Sequence, residues 1–276
     1  SQIYKMVKRI AKTFENLKNT NQKAFISFIM AGDPNLDKTY DLMVAFPKYG
    51  VDIIELGIPF TDPMADGPSI QRAGNRSLQM GTTLKSILEL VKKFRKVNNE
   101  TPVILMGYYN PIYSFGVENF LKKAKSSGVD GLIIVDLPPE EDRELCIPAQ
   151  KNGIDFIRLS TPTSDESRLP RILDNSSGFV YHVSITGTTG AGRVDAKKLG
   201  PEIDRIRKLT NLPICVGFGI KNPEDAAAVS GIADGVVVGS AIIEKIETKE
   251  PDENILEFIK SLSNGAKIGN SFYKKM

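Results

Sequence analysis

The stretch Ala24-Phe25-Ile26-Ser27-Phe28-Ile29-Met30 is apolar on six of its seven residues, with no polar alternation. A strand with one face in water alternates with period two. A strand covered on both faces does not, and parallel sheets flanked by helices are built from such strands. Runs of this kind recur along the chain, bounded by turn residues: Val51–Leu56, Val103–Met106, Gly131–Val135, Ile154–Leu159, Phe179–Val183, Pro213–Val216 and Gly235–Val238. With the first, that makes eight. Helical patterns lie between them. Leu84, Ile87, Leu88, Val91 and Phe94 form the clearest, and Leu199, Ile203, Ile206 and Leu209 another. Asp37–Tyr49, Val117–Ser126, Glu140–Lys151, Asp165–Leu173, Pro223–Val229 and Asn254–Leu262 are weaker. Eight βα units in 276 residues predict an α/β fold, a closed (β/α)8 barrel of the TIM type, as one domain over residues 1–276. A doubly wound open sheet is disfavoured, because no Gly-x-Gly-x-x-Gly follows the first run.

Ahead of the first run, Ile3, Val7, Ile10, Phe14 and Leu17 recur at helical spacing between lysines. This extra N-terminal helix is expected to cover one end of the barrel rather than lie on a membrane. At the other terminus, residues from about 265 to 276 include Lys274 and Lys275, show no periodicity and are expected to fray.

Composition narrows the function. A net charge of +3, without basic clusters interleaved by aromatics, argues against nucleic acid. Two cysteines, Cys146 and Cys215, and one histidine, His182, give neither a disulfide framework nor a usual zinc site, so no metal is expected. No apolar run reaches the roughly 18 residues of a membrane span, and the expected location is cytoplasmic.

Barrel active sites lie at the carboxyl ends of the strands. After the second run comes Val51-Asp-Ile-Ile-Glu-Leu-Gly-Ile-Pro-Phe-Thr-Asp-Pro-Met-Ala-Asp-Gly-Pro68. Alternation groups Val51, Ile53 and Glu55 on one face, pointing either into the barrel or out toward the helices. In an apolar setting Glu55 would have a raised pKa suited to proton transfer. It reads equally as a buried carboxylate paired with a basic residue for structural reasons. Asp62 and Asp66 sit among Pro59, Pro63 and Pro68; Asp62 reads best as turn chemistry, and Asp66 is open between a turn and a site.

Glycines follow the last three runs, in Ser184-Ile-Thr-Gly-Thr-Thr-Gly-Ala-Gly192, Val216-Gly-Phe-Gly-Ile220 and Val238-Gly-Ser-Ala241. Backbone N–H groups at adjoining strand ends, with the Ser240 hydroxyl at a helix start, suit a phosphate. The expected substrate is a small phosphorylated metabolite handled without nucleotide, metal or organic cofactor. Tyr108, Tyr109, Asn110 and Tyr181 are aromatic or polar candidates at strand ends. Asp136, Ser160 and Thr161 read as pocket lining. His182 faces opposite to Tyr181 and reads as a packed histidine.

The stretch Ile54-Glu-Leu-Gly-Ile-Pro-Phe-Thr-Asp-Pro-Met-Ala-Asp-Gly67 resembles the signature of the tryptophan synthase α-subunit family, with Met64 a mild variation. The resemblance continues collinearly to about residue 262 through Phe28-Ile-Met-Ala-Gly-Asp-Pro34, Met106-Gly-Tyr-Tyr-Asn-Pro111, Val135-Asp-Leu-Pro-Pro139, Val183-Ser-Ile-Thr-Gly-Thr-Thr-Gly190 and Gly217-Phe-Gly-Ile220. It implies retro-aldol cleavage of indole-3-glycerol phosphate to indole and glyceraldehyde 3-phosphate. By the same resemblance, Glu55 is the general acid/base and Asp66 the carboxylate that holds the indole nitrogen. Gly190, Gly219, Gly239 and Ser240 match the phosphate cradle, and Thr189 the threonine that helps hold Asp66. Phe28, Tyr108, Tyr181 and Phe218 match the pocket. The implied partner is a tryptophan synthase β subunit in an α2β2 assembly, carrying pyridoxal phosphate, with no cofactor in this chain. Pro59, Asp62 and Asn110 match the contacts to it. Two other readings are a non-catalytic α-like subunit that activates a β partner and a stand-alone indole-releasing lyase.

Overall fold

The structure, a computed structural model, describes residues 8–164, 167–184, 194–217 and 219–273, the last four of them by backbone only. Nine parallel strands are found among these residues: β1 Ala24–Met30, β2 Ile53–Gly57, β3 Val103–Gly107, β4 Gly131–Ile134, β5 Asp155–Phe156, β6 Arg158–Ser160, β7 Val180–Val183, β8 Ile214–Gly217 and β9 Gly235–Val238. Their order in the sheet is β5-β4-β3-β2-β1-β9-β8-β7-β6.

The two ends of that order are neighbours in the chain, separated by Ile157 alone, and both belong to the single predicted run Ile154–Leu159. On one side Asp155 and Phe156 pair with Gly131 and Leu132; on the other Arg158, Leu159 and Ser160 pair with Val180, Tyr181 and His182. One segment thus serves both neighbours, and the sheet closes into a TIM-type barrel of eight staves. Closure removes the exposed strand edges of an open sheet.

Side-chain parity sorts the apolar residues into two populations. Phe25, Ile29, Ile54, Leu56, Leu105, Leu132, Val216 and Val236 point outward and pack under the helices. Ile26, Ile53, Ile104, Ile133, Ile157, Cys215 and Val237 point inward and form one cluster with Ile10 and Leu17 of the helix Arg9–Asn19. Phe14 of that helix packs against Phe179, with tilted rings whose centroids are 5.8 Å apart. The N-terminal helix therefore plugs the amino end of the barrel, held by Arg9 to Asp130 and Lys8 to Asp155, each at 2.9 Å. Ile3 and Val7, also assigned to it from sequence, lie outside the described residues.

Several helix expectations need correction. From about residue 265 to 273 the tail is helical rather than frayed, as the end of the helix Asp252–Tyr273 with Ala266 buried, and Lys274 and Lys275 lie outside the described residues. Lys267 Nζ donates to the Lys23 carbonyl at 2.9 Å and pairs with Asp52 at 2.6 Å, so this turn is docked against the barrel. Asp37–Tyr49 divides into the helix Leu36–Ala45 and a 3-10 turn, Phe46–Tyr49, at Pro47, which has no N–H to continue the ladder. Glu140–Lys151 divides likewise, into a short 3-10 turn, Pro139–Glu141, and the helix Cys146–Lys151. Leu209 falls beyond the helix Ala196–Arg207 and is exposed. Two helices were not anticipated, Pro68–Gln79 and Tyr109–Phe115. Pro68 begins the first of them, a position where the missing N–H costs nothing.

Gly217, read from sequence as part of a phosphate turn, ends β8 and also makes space. A Cβ there would stand 2.3 Å from the Tyr181 hydroxyl. Gly217→Ala should therefore push the tyrosine ring off its seat and destabilise the fold by about 1–3 kcal/mol, measured by urea unfolding. An unchanged midpoint would mean that Tyr181 swings aside freely.

Candidate active site

The plug leaves the carboxyl end of the barrel open. There a cavity of about 420 Å³ is lined by Phe28, Met30, Glu55, Met106, Tyr181 and Val237 at depth, and by Asp66, Tyr108, Gly219, Lys221, Gly239 and Ser240 toward its mouth. That volume suits a small metabolite. One part of its wall is apolar: Phe28, Met30, Ala73 and Ile243 form a cluster of their own with Ile70 and Met106. A flat aromatic group fits such a surface.

Glu55 follows Ile53 by two residues on β2, so it shares the inward face, beside Phe28 of β1 in register. It is wholly buried, and among the described residues neither carboxylate oxygen has a hydrogen-bond partner. The structural reading, a buried glutamate paired with a basic residue, is therefore not what the described residues show. Desolvation pushes its pKa up to about 8. The same burial, with Glu55 nearby, raises the Tyr181 phenol. A carboxylic acid that is protonated at neutral pH and faces a cavity is equipped to donate a proton.

Asp66 reaches the cavity from the proline-bounded loop. Burial raises its pKa, opposed by a hydrogen bond from the Tyr108 hydroxyl to its Oδ1 at 3.1 Å. The same hydroxyl accepts from the Ala65 N–H at 3.0 Å, and its own pKa is pushed up to about 12, mainly by burial. Phe60 stacks on the Tyr108 ring at 5.2 Å. Tyr108, expected only as pocket lining, thus holds the loop that presents Asp66. Its place after the third run was readable; its bond across 42 residues was not.

On the far side of the mouth, Gly239 precedes the helix Ser240–Glu247. The N–H groups of Ile242 and Ile243 both turn back to the Gly239 carbonyl, at 2.9 and 3.0 Å. The N–H groups of Ser240 and Ala241, one step earlier, have no carbonyl within the helix to reach and line the cavity with the exposed Ser240 hydroxyl. Gly219 is exposed, with open space where a Cβ would stand. Sequence reasoning missed Lys221 and Glu244 on this rim. Lys221 directly follows Gly217–Ile220, so its position at a strand end was the available signal. Thr189, Gly190 and Phe218 lie outside the described residues.

Other candidates separate from the cavity. Asp62 and Asn110 are exposed and do not line it. Pro59, expected as a partner contact, is buried in this chain. Asp136 accepts from the Tyr109 N–H at 2.8 Å, and Ser160 bonds to His182 on the outer face of the barrel, so neither lines the pocket. Thr161 bonds within its own turn, to Thr163 and Ser164. Both cysteines are free and buried. Among the described residues no group of three or more His, Cys, Asp or Glu is placed to hold a metal, and no helix is long and apolar enough to cross a membrane.

Comparison with known proteins gives a consistent result. Residues 14–268 match the family model described as tryptophan synthase alpha chain. The crystal structure of tryptophan synthase subunit alpha from Legionella pneumophila str. Paris is 40% identical, covers 96% of this chain and 99% of its own, and superposes with a TM-score of 0.86. A structure from Aquifex aeolicus VF5 is 36% identical over 94% of this chain and 99% of its own, with a TM-score of 0.86. Tryptophan synthase from M. tuberculosis in its aminoacrylate-bound form is 28% identical over 94% of this chain and 100% of its own, with a TM-score of 0.85.

The geometry of Glu55 fixes a sign. Its carboxyl ionises near 4.5 when unfolded and near 8 when folded, so between those values the folded state holds the extra proton. Stability then falls as pH rises through that window. The melting temperature of Glu55→Gln relative to the native chain should be constant below the window, climb through it and level off above it. A gap that does not change with pH would mean that Glu55 has an ordinary pKa. Tyr108→Phe removes the hydroxyl that bonds Ala65 and Asp66. It should cost little in melting temperature while lowering indole-releasing activity roughly tenfold or more, because Asp66 loses its anchor. Unaltered activity would separate Tyr108 from the placement of Asp66.

Proposed function

The chain belongs to the tryptophan synthase alpha chain family, and on that premise we propose how its barrel mouth carries out the family's reaction. It is the alpha subunit of tryptophan biosynthesis, a lyase that cleaves indole-3-glycerol phosphate to indole and glyceraldehyde 3-phosphate.

In the proposed arrangement the indole ring lies on the apolar wall of Phe28, Met30 and Met106. The phosphate meets Gly219, Gly239 and Ser240, together with Gly190 of the glycine-rich stretch. Tyr181 and Phe218 close the pocket around the glycerol. Glu55, as a carboxylic acid, gives its proton to indole C3, and positive charge develops at the ring nitrogen. Asp66 accepts the indole N–H and stabilises that charge, with Thr189 and Tyr108 holding it. The Glu55 carboxylate then takes the proton of the glycerol hydroxyl next to the breaking bond. Its C–O becomes the aldehyde, the electrons of the carbon–carbon bond return to the ring, and Glu55 is again an acid. One carboxyl group therefore serves both proton transfers, and the chain needs no cofactor of its own. The buried, unpaired carboxyl of Glu55 is the observation that carries this reading.

A β-subunit partner follows from the family. We extend this to an α2β2 assembly with pyridoxal phosphate in the partner. The exposed Asp62, Met64 and Asn110 form the face offered to it, with buried Pro59 stiffening the loop from beneath. A cytoplasmic location fits a biosynthetic enzyme of this kind.

Single-turnover indole release at saturating β subunit tests the roles. Glu55→Gln should slow the chemical step by roughly 10² to 10⁴-fold. Asp66→Asn should also lose most activity, with both variants folded and still binding the β subunit. Since Glu55 begins the cycle protonated, kcat/KM should be level through neutral pH and fall above about 8. Ser240→Asp puts a carboxylate against the phosphate and should mainly raise KM. Normal turnover in Glu55→Gln would leave the mechanism without its acid.

A further inference from the structure

The one histidine of the chain takes no part in the chemistry above, yet it is 1% exposed and fully engaged. It stands on β7 between Tyr181 and Val183, which face the cavity, so its own ring faces outward toward the helix Ala196–Arg207. His182 Nδ1 lies 2.9 Å from Ser160 Oγ on β6, and Nε2 lies 2.7 Å from Glu202 Oε2 on the helix. The same glutamate oxygen accepts from the Ser184 hydroxyl at 3.1 Å. Burial lowers the imidazole pKa, against the pull of Glu202, and nearby Arg205 lowers it further. The neutral ring accepts from Ser160 at Nδ1 and donates to Glu202 at Nε2, so a donor meets an acceptor at each of these bonds.

Such a quartet is an expensive way to fill space. Aliphatic side chains of similar size would pack between strand and helix without desolvating a carboxylate. What the quartet adds is direction, because a satisfied polar network holds one arrangement where apolar packing tolerates several. The arrangement it holds is the carboxyl end of β7. Ser184 is 2% exposed, lines the cavity and donates its N–H to the Gly217 carbonyl at 3.1 Å. Gly217 is in turn the residue whose missing side chain seats Tyr181. The strand end is therefore clamped from inside by Tyr181 on Gly217, and from outside by His182 and Ser184 on Glu202. In sequence Ser184 opens the glycine-rich stretch of the phosphate side.

We infer that Glu202 and His182 are positioning residues for substrate binding: through Ser184 they hold the end of β7 at the height where the phosphate side of the pocket is completed. The inference rests on the phosphate reading above. It predicts that loosening the clamp raises KM for indole-3-glycerol phosphate and leaves the proton transfers at Glu55 intact.

The test uses the full chain with saturating β subunit, steady-state kinetics and thermal melts. The double variant His182→Leu with Glu202→Leu replaces the polar pair by apolar packing. It should melt at or above the native temperature, raise KM roughly tenfold and change kcat by less than about twofold. Ser184→Ala, which removes one hydroxyl only, should raise KM roughly threefold to tenfold with its melt nearly unchanged. Glu202→Gln keeps an oxygen for the histidine and should recover much of the lost affinity. If the leucine pair does not fold, Ser184→Ala decides alone. An unchanged KM in the folded variants, or a fall in kcat at constant KM, overturns the inference. Ser240→Asp separates the two readings: should it also leave KM unchanged, the phosphate side has been assigned wrongly. If it raises KM while the clamp variants do not, only the clamp is refuted.

Discussion

A carboxyl group held inside an apolar barrel, without a hydrogen-bond partner among the described residues, sets the terms for the rest of this structure. Removing a charged carboxylate from water costs several kcal/mol, and the group avoids that cost by keeping its proton. The barrel makes this possible by closing on itself through the split segment Asp155–Ser160 and by stopping its amino end with Ile10, Phe14 and Leu17. Glu55 then faces the cavity at the mouth. The outward residues of the same strands bury themselves under the helices. That packing supplies the stability which tolerates one unsatisfied acid at the centre.

Around that acid the mouth divides its tasks by element. β1 and the helix Pro68–Gln79 give an apolar wall. The helix Ser240–Glu247 starts at the cavity, where Ser240 and Ala241 line it. The loop between β2 and the helix Pro68–Gln79 brings a second carboxylate, Asp66, held by Tyr108. The two carboxylates have different surroundings: among the described residues nothing bonds to the oxygens of Glu55, whereas Asp66 accepts a phenolic hydrogen bond at a half-buried position. Environments that differ in this way suit one group to hand over protons and the other to hold a partner's N–H.

Much of this was legible in the sequence because strand periodicity is local. The runs from Ala24 to Val238 mark the staves within a residue or two, and parity alone grouped Glu55 with Ile53. Whether that face pointed inward depended on closure, which no local pattern contains. The glycines after the last runs were read as phosphate turns. Gly217 also makes room for a tyrosine from the neighbouring strand, a contact that spacing cannot reveal. The tail was misread for a similar reason. Gly265 and Gly269 break its apolar rhythm, but both lie against the helix Pro223–Ser230, where a side chain would collide. Close packing of two helices selects small residues, and periodicity scores them as breaks. Tyr108 to Asp66 and His182 to Glu202 are likewise bonds between distant parts of the chain.

The central claim is that Glu55 is an uncharged acid at neutral pH because of where the barrel puts it. Difference infrared spectroscopy of the free chain against Glu55→Gln, across a pH series, reads that proton directly. The account predicts a protonated carboxyl stretch, assigned to Glu55, that persists through neutral pH and disappears with a midpoint near 8. A carboxylate band for Glu55 at pH 6, with titration near the ordinary value of 4.5, would contradict it.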